Sequence, residues 1–220
     1  MFNFILIFSF FICLNCQENY IGIDISEWQG PDIDFEKIKE AGINFVIIRA
    51  GIGDTLDIYW ELNYKKAKAA GLNVGAYWYS KAFNEQESQK EAEYTLNAIE
   101  GKQLEYPIYY VIEQREILAK GKSFCSTIAT IFSSHLERNK KFCGIYSSKS
   151  NLELYFDEDV KRSYSIWVAQ YDSNCTYSGN YGIWQKSNKG DVVGLPGNIN
   201  IDISIVNFPP IIKGNHRNGF

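Results

Sequence analysis

The sequence of 220 residues contains only two histidines, His135 and His216. His135 lies in a helical pattern and His216 lies near the carboxyl terminus, so neither is placed to activate a serine or cysteine nucleophile. The sequence also has no HExxH segment, and after residue 16 it has no cysteine pair at a zinc-binding spacing. We therefore predict a protein that needs no metal and no other cofactor.

An excess of basic residues is also absent. The 22 Lys and Arg are outnumbered by 26 Asp and Glu, and the net charge is −4. Nucleic-acid-binding proteins usually carry a basic patch, so we predict no nucleic-acid partner. Hydrophobic residues make up 45% of the chain and aromatic residues 15%. This composition and length are typical of one globular domain with a substantial core, which we expect to be a monomer.

Long apolar runs are missing after the first 16 residues. The run over residues 4–14 is too short to span a bilayer but has the length of a signal-peptide core. We predict that residues 1–16 are a cleaved signal peptide, against the alternatives of an uncleaved anchor or a buried strand. The protein would then be secreted or held in lysosome-like or phagosome-like vesicles, with no membrane contact after cleavage. The tripeptide 174–176, Asn-Cys-Thr, is a glycosylation sequon that fits this route.

Three cysteines remain after the predicted cleavage site: Cys125, Cys143 and Cys175. A predicted helix of about 24 Å separates Cys125 from Cys143, at 1.5 Å per residue. Disulfide Cα atoms lie within about 7 Å of each other, so this pair is excluded. If any pair forms, we expect Cys125–Cys175.

From residue 20 onward, short β-rich segments alternate with amphipathic helical segments. The predicted strands are 20–25, 44–49, 73–79, 107–112, 142–146, 164–169, 181–185 and 199–205. The predicted helices are 34–41, 59–70, 85–100, 123–139 and 150–156. The alternation indicates βαβ units and a parallel sheet. No further helix is predicted after residue 169, which favours an irregular (β/α)5(β)3 TIM-like barrel over residues 17–208.

The alternative fold is an open doubly wound sheet. It is disfavoured because no Gly-rich phosphate loop follows the first strand. We predict that residues 209–220 form a frayed tail after the last strand.

Two aspartates and one glutamate are the candidate catalytic residues. Strand side chains alternate between faces, so Asp24 and Asp202 point away from the isoleucines beside them and into the barrel. The first and last strands of a closed barrel are neighbours, which places these two carboxyls side by side. Glu113 follows the fourth strand on the opposite wall. Carboxyl groups on opposite walls of a cleft can flank a glycosidic bond, but each can equally be a capping or surface residue.

Aromatic residues are frequent near the predicted strand ends. Aromatic rings stack on the apolar faces of sugars, although they also fill ordinary cores. From this set we predict Tyr77, Trp167, Tyr171 and Trp184 as substrate-binding residues.

Several ordered motifs resemble the glycoside hydrolase family 25 (Chalaropsis-type) lysozymes. The segment 22–30, GIDISEWQG, resembles the family's opening GIDVSxWQG, and 69–77, AAGLNVGAY, resembles its AxxAGLxVGAY. Segments 45–50, 167–171 and 201–204 resemble further strand motifs, and the match covers about residues 20–208. The resemblance implies an N-acetylmuramidase that cuts the β-1,4 bond between N-acetylmuramic acid and N-acetylglucosamine in peptidoglycan. It places the catalytic carboxylates at Asp24, at Asp202 and in a D-x-E motif that ends the fourth strand.

The D-x-E motif departs from the family pattern. It reads Val111-Ile112-Glu113, so the proposed general acid is present and the aspartate is replaced by Val111. Losing a key electrostatic group can cost about 10²–10³ in rate. The open alternatives are a slow muramidase in which Asp24 or Asp202 compensates, a catalytically inactive peptidoglycan-binding module, and a variant or erroneous residue at position 111. A barrel that acts on another polymer such as chitin is a further alternative.

Overall fold

The structure is a computed structural model that describes residues 19–220. The predicted signal peptide, residues 1–16, lies outside this range. The strands are β1 (Tyr20–Ile25), β2 (Phe45–Ile52), β3 (Thr55–Leu56), β4 (Asn73–Tyr79), β5 (Ile108–Val111), β6 (Cys143–Ser148), β7 (Ser165–Ala169), β8 (Ile183–Val192) and β9 (Leu195–Ser204).

The helices largely occupy the predicted segments. They are α1 (Phe35–Glu40), α2 (Trp60–Ala69), α3 (Glu85–Ala98), α4 (Arg115–Leu118), α5 (Lys122–Arg138), α6 (Lys149–Tyr155), α7 (Glu158–Ser163) and α8 (Phe208–Gly214), with a 3-10 turn at Glu27–Gln29. The glycines after α1 and α2, Gly42 and Gly71, have φ angles of 90° and 74°, a conformation that favours glycine and ends a helix. None of the helices in the described part of the chain is long and apolar enough to cross a membrane.

Eight strands close into a barrel. Their order is β1-β9-β8-β7-β6-β5-β4-β2, and pairing of β1 with β2 completes the ring, while the short β3 extends the edge of β2. The barrel strands are parallel except β9, which is antiparallel to both β8 and β1. Five strand–helix units followed by three strands confirm the predicted (β/α)5(β)3 barrel.

The alternation of side chains divides the core into two parts. Ile23 and Ile25 of β1 belong to the outer cluster, between the sheet and the helices. Phe45 and Ile47 of β2 belong to the inner cluster, inside the barrel. The aspartates of β1 and β9 alternate with the outward isoleucines and therefore face the interior, as predicted.

The last two strands are longer than predicted. β8 and β9 have ten residues each and form a hairpin with several register shifts. The added segment contains charged and glycine residues, which have low strand propensity on their own. Pairing between the two strands supplies the stability that the local sequence lacks.

The prediction of a frayed tail is wrong. α8 covers the lower end of the barrel, where Phe208 and Ile212 are buried and Phe208 lies against Tyr106 with ring centroids 5.4 Å apart. Beyond the helix, the Asn218 side chain accepts a hydrogen bond from the Phe142 N–H at 2.7 Å and donates to the Tyr106 carbonyl at 3.0 Å. These contacts come from residues distant in sequence, so the local pattern could not reveal them.

The predicted Cys125–Cys175 disulfide is also absent. All three cysteines of the described chain are free. Cys125 is a buried residue of α5, and its thiol points to the Ile117 carbonyl, 3.7 Å from the sulfur. Cys175 lies in a loop and is only partly buried, packed against the outer cluster. The two side chains therefore have different environments despite their shared position near the upper end of the barrel.

The buried tail generates a stability prediction. Ile212→Ala should lower the free energy of unfolding by about 2–4 kcal/mol, because it leaves a cavity under the barrel. Ile211→Ala is the matched control, since Ile211 is 39% exposed, and should cost less than about 1 kcal/mol. Urea unfolding measures both. Equal small effects would show that α8 does not contribute to the core.

Candidate active site

A cleft of about 270 Å³ opens at the upper end of the barrel, where the parallel strands end. Every barrel strand contributes a side chain to it. In strand order these are Asp24, Arg49, Tyr77, Val111, Tyr146, Trp167, Gln185 and Asn200. Glu113, two residues beyond β5, completes the wall. The upper end of such a barrel is where active sites are found.

Asp24 is buried but well supplied with hydrogen-bond donors. Gln185 Nε2 donates to Oδ2 at 2.7 Å, and Asn200 Nδ2 donates to Oδ1 at 3.0 Å. Burial raises the pKa of Asp24 to about 6, and the two amide donors limit that rise because they stabilise the charged form. Asp24 is therefore ionised near neutral pH.

Asp202 lies deeper in the barrel than Asp24. In the antiparallel register Asp202 is opposite Gly22, while Asp24 is opposite Asn200, so the two carboxyls are diagonal neighbours. Trp167 Nε1 donates to Asp202 Oδ1 at 2.8 Å. Among residues 19–220, no donor group reaches Asp202 Oδ2, and the carboxyl is within hydrogen-bonding reach of Asp24.

The pair is best described as sharing one proton. Burial and the charge of Asp24 hold the pKa of Asp202 well above the ordinary carboxyl range. A proton on Asp202 satisfies its otherwise unpaired oxygen by donation to Asp24. Two buried carboxylates in contact would otherwise repel each other strongly.

Glu113 has a contrasting environment. Burial, and secondly the negative charge of Asp24, raise the pKa of Glu113 to about 7. Both effects favour the protonated form. The structure thus brings an acid and an ionised carboxylate to opposite sides of one cleft, as the spacing of Glu113 and Asp24 predicts.

Val111 occupies the position where the family pattern has an aspartate. It is buried in the cleft wall, between Tyr79 of β4 and Tyr146 of β6 in the sheet register. Its side chain offers the cleft only methyl groups. No residue of β5 is anionic, so the strand that precedes Glu113 places no negative charge beside its carboxyl.

Three of the four predicted aromatic residues lie at the cleft. Tyr77 and Trp167 line it, and Trp167 packs against Tyr146 with ring centroids 4.4 Å apart. Tyr171 lies just after β7, is 54% exposed, and donates from its hydroxyl to Gln185 Oε1 at 2.9 Å.

The prediction for Trp184 needs correction. Its neighbours on β8, Ile183 and Gln185, point into the barrel, so Trp184 points outward and packs in the outer cluster. Its indole N–H donates to the Gln170 carbonyl at 2.7 Å. Trp184 thus supports the loop after β7 and does not line the cleft.

Sequence reasoning missed Gln185, although it occupies the centre of the site. The hydroxyls of Tyr146 and Tyr171 both donate to Gln185 Oε1, at 2.8 and 2.9 Å. The amide nitrogen must therefore face Asp24. One signal in the sequence could have identified Gln185. It alternates along the strand with Trp184, so if one of the two side chains points outward the other must point into the barrel. Sequence reasoning also missed Asn200, which is opposite Asp24 in the strand register and lines the cleft.

Arg49 was also missed, and it positions the rim of the cleft. Arg49 Nε donates to Asp57 Oδ2 at 2.8 Å, and its NH2 group lies 2.8 Å from Glu27 Oε1. Asp57 also accepts from the Glu27 N–H at 2.9 Å. This network fixes the 3-10 turn that carries Trp28, whose side chain is 81% exposed at the edge of the cleft.

A metal site is not evident in the described chain: no group of three or more His, Cys, Asp or Glu side chains within residues 19–220 is arranged to hold an ion.

The sequence profile of the glycosyl hydrolases family 25 matches residues 23–195. The chain belongs to this family. The autolytic lysozyme of Clostridium acetobutylicum is 30% identical over 183 residues, which are 82% of this chain and 54% of that protein. The chain thus spans about half the length of this curated relative.

Several solved structures share the fold. The CTP1L endolysin has a TM-score of 0.78 at 26% identity, over 89% of this chain and 70% of that one. The family 25 glycosyl hydrolase from Bacillus anthracis has a TM-score of 0.77 at 19% identity, over 88% and 92%. The autolysin LytC from Streptococcus pneumoniae, solved with a synthetic peptidoglycan ligand, has a TM-score of 0.78 at 24% identity, over 84% and 46%.

The carboxyl pair generates a prediction about stability and pH. The folded-state pKa values of Asp24 and Asp202 are raised, so their contribution to stability is lost as the pH rises above the ordinary carboxyl range. Asp202→Asn keeps the acceptor for Trp167 and donates an N–H to Asp24 without any titration. At pH 8 the variant should be more stable than the wild type by at least about 1 kcal/mol, and the difference should disappear near pH 4.

Thermal or urea unfolding at pH 4, 6 and 8 makes this comparison. Asp32→Asn, at an exposed position, is the matched control and should follow the wild-type pH dependence. An Asp202→Asn protein that is less stable than the wild type at pH 8 would show that the pair carries no shared proton.

Proposed function

We propose that this family 25 protein is a muramidase that hydrolyses the β-1,4 bond between N-acetylmuramic acid and N-acetylglucosamine in peptidoglycan. The observation that carries the proposal is the pairing of Glu113, an acid with a raised pKa, with Asp24, a hydrogen-bonded carboxylate, across one aromatic cleft. Family membership and the similarity to an autolytic lysozyme support the same reaction.

Glu113 serves as the general acid. A carboxyl with a pKa of about 7 is largely protonated in mildly acidic solution and can donate its proton to the leaving glycosidic oxygen. Positive charge then develops on the sugar ring as the bond breaks. Water adds at the anomeric carbon, and the proton it releases restores the acid.

Asp24 stabilises the developing positive charge. Its carboxylate is held by Gln185 and Asn200, so it needs no reorganisation when the charge appears. Protonated Asp202 supports Asp24 from below through a further hydrogen bond. In this arrangement Asp24 supplies a negative charge to the cleft that Val111 cannot.

The aromatic side chains bind the glycan. Trp28 is the exposed ring at the rim, Tyr77 and Trp167 line the cleft beneath, and Tyr171 borders the opposite side. Rings of this kind stack on the apolar faces of sugars. Trp167 has a second role, since its indole N–H fixes Asp202.

A second candidate function is favoured by Val111 alone. A protein with an intact cleft but a defective charge pattern would bind peptidoglycan without cutting it. The chain would then be a lectin-like member of an enzyme family. We favour hydrolysis because Glu113, Asp24 and Asp202 all retain the environments that the reaction uses.

We also propose that the protein acts outside the cell or in a lysosome-like or phagosome-like vesicle. The basis is the apolar segment within residues 1–16 and the sequon at Asn174, which lies in a surface loop. A mildly acidic compartment would keep Glu113 protonated. Amino-terminal sequencing of the protein recovered from its native source tests the cleavage, and an intact Met1 would contradict it.

The acid role predicts a large loss of activity for Glu113→Gln. Release of reducing ends from purified peptidoglycan should fall by about 10²–10⁴-fold, because the amide cannot protonate the leaving oxygen. The wild-type rate should be highest between about pH 6, below which Asp24 is protonated, and about pH 7, above which Glu113 is ionised. Glu116→Gln, an exposed change three residues away, is the control and should retain wild-type activity. Equal activity of both variants would show that Glu113 is not the general acid.

Val111→Asp separates the two candidate functions. If Asp24 supplies the necessary charge, the wild type is active and Val111→Asp changes its rate by less than about tenfold. Val111→Asn is the matched control for polarity without charge. The binding-module function would be established instead if the wild type binds insoluble peptidoglycan without hydrolysing it and Val111→Asp restores hydrolysis.

A further inference from the structure

The lower end of the barrel, opposite the catalytic cleft, carries a cluster of positive charge. The end of α5 and the loop that follows it contribute three of its cations, and the end of α8 with the tail contributes two. We call these five residues the basic face: Arg138, Lys140, Lys141, Lys213 and Arg217. The chain as a whole has a net charge of −4, so this end of the barrel differs in sign from the rest of the protein.

Hydrogen bonds hold the two parts of the basic face together. The Lys140 carbonyl accepts from the Asn218 N–H at 3.1 Å, and the Lys141 carbonyl accepts from Arg217 NH1 at 2.9 Å. Lys213 lies in the last turn of α8, just before this segment. The five cations therefore belong to one continuous surface, although 75 residues of chain lie between its two halves in sequence order.

The charge of the basic face is not neutralised within the part of the chain that the structure describes. Among residues 19–220, none of the five cations forms an ion pair with a carboxylate. Glu137, in the last turn of α5, is an exposed carboxylate beside Arg138 and offsets part of the positive charge. The five cations still leave an excess of positive charge at this end of the barrel.

Lys140 is held in a backbone conformation that favours glycine. Its φ angle is 56°, and it directly follows the residue that caps α5. At the same position α1 and α2 have glycines, Gly42 and Gly71. A lysine is less stable there than a glycine, because its Cβ crowds the backbone. The end of α5 thus retains a strained residue that places an ammonium group on the basic face.

Lys141 is half-buried without an anionic partner. Burial lowers the pKa of its ammonium group, and within residues 19–220 no ion pair offsets that effect. Buried charges in proteins are usually paired, because removing a charge from water is unfavourable. An anion bound at the basic face would supply the missing partner.

An exposed apolar side chain lies beside these cations. Ile211 of α8 is 39% exposed, and the neighbouring Pro210 is also exposed, whereas Ile212 is buried in the core. Basic residues combined with exposed apolar groups are typical of proteins that lie on anionic lipid headgroups. A soluble polyanion such as a nucleic acid would contact the cations but would gain little from Ile211.

We propose that the basic face binds the anionic headgroups of a lipid membrane. The Lys and Arg side chains contact the lipid phosphates, and Ile211 enters the headgroup region. The cleft lies at the opposite end of the barrel, so it points away from the membrane and stays open. The expectation of no membrane contact considered only apolar runs long enough to span a bilayer, and such a pattern does not reveal a basic face formed by folding.

The first test measures binding of the full chain to vesicles by sedimentation. We expect binding to phosphatidylcholine vesicles that contain about 30% phosphatidylglycerol, no binding to pure phosphatidylcholine, and release at about 0.5 M salt, which screens the charges. Lys140→Gly with Lys213→Gln should weaken binding about tenfold. Lys65→Gln with Lys90→Gln is the matched control, since it removes the same net charge at exposed positions on α2 and α3.

The control variant should bind like the wild type. Equal weakening by the two double variants would show that only net charge matters, and a wild type that does not bind the anionic vesicles would equally overturn the proposal. Lys140→Gly relieves the strained conformation, so by itself it should leave the melting temperature unchanged or raised. Loss of binding by that variant therefore cannot be attributed to unfolding.

The second test distinguishes a membrane from a soluble polyanion. Ile211→Ser should weaken binding to the anionic vesicles about three- to fivefold, because it removes apolar contact with the lipid, and should leave binding to inorganic polyphosphate unchanged. If Ile211→Ser has no effect on vesicle binding and polyphosphate binds the wild type more tightly than vesicles do, the basic face is a polyanion site and the proposal is wrong. Neither test depends on hydrolysis, so both are independent of the proposed muramidase function.

Discussion

The insertion of β9 between β1 and β8 is the constraint on which the site depends. This strand closes the barrel, and its antiparallel direction determines which residues meet across the first and last strands. Asp202 is placed one step below Asp24 and loses all contact with solvent. A parallel last strand would give a different register and would not place Asp202 beneath Asp24. The proton shared by the pair is therefore a consequence of strand direction.

The three carboxyls of the site differ because their surroundings differ. Asp24 has two amide donors and a carboxyl neighbour, Asp202 has one indole donor, and Glu113 has burial and a nearby negative charge. The same chemical group is thus ionised at one position, Asp24, and protonated at the other two. Val111 fits this pattern, because an aspartate there would add another negative charge to the wall that carries Glu113.

The barrel was predictable because its signals are local. Strands such as β2 and β4 combine runs of apolar residues with glycines that end the preceding helices, and these features need no knowledge of distant contacts. The inward direction of Asp24 and Asp202 followed from alternation alone. Trp184 was misassigned for a related reason. Its aromatic side chain suggested sugar binding, but the alternation of side chains along β8 points Trp184 outward and Gln185 inward.

By itself the sequence determined the order of the eight barrel strands and of five of the helices, the faces of Asp24 and Asp202, and the position of Glu113 after its strand. These features follow from the periodic spacing of apolar and polar residues, which is a local property of each segment of the chain. Only the tertiary structure decided that α8 covers the lower end of the barrel and that Gln185 orients Asp24. Those features depend on contacts between residues far apart in sequence, whose partners exist only when the barrel closes.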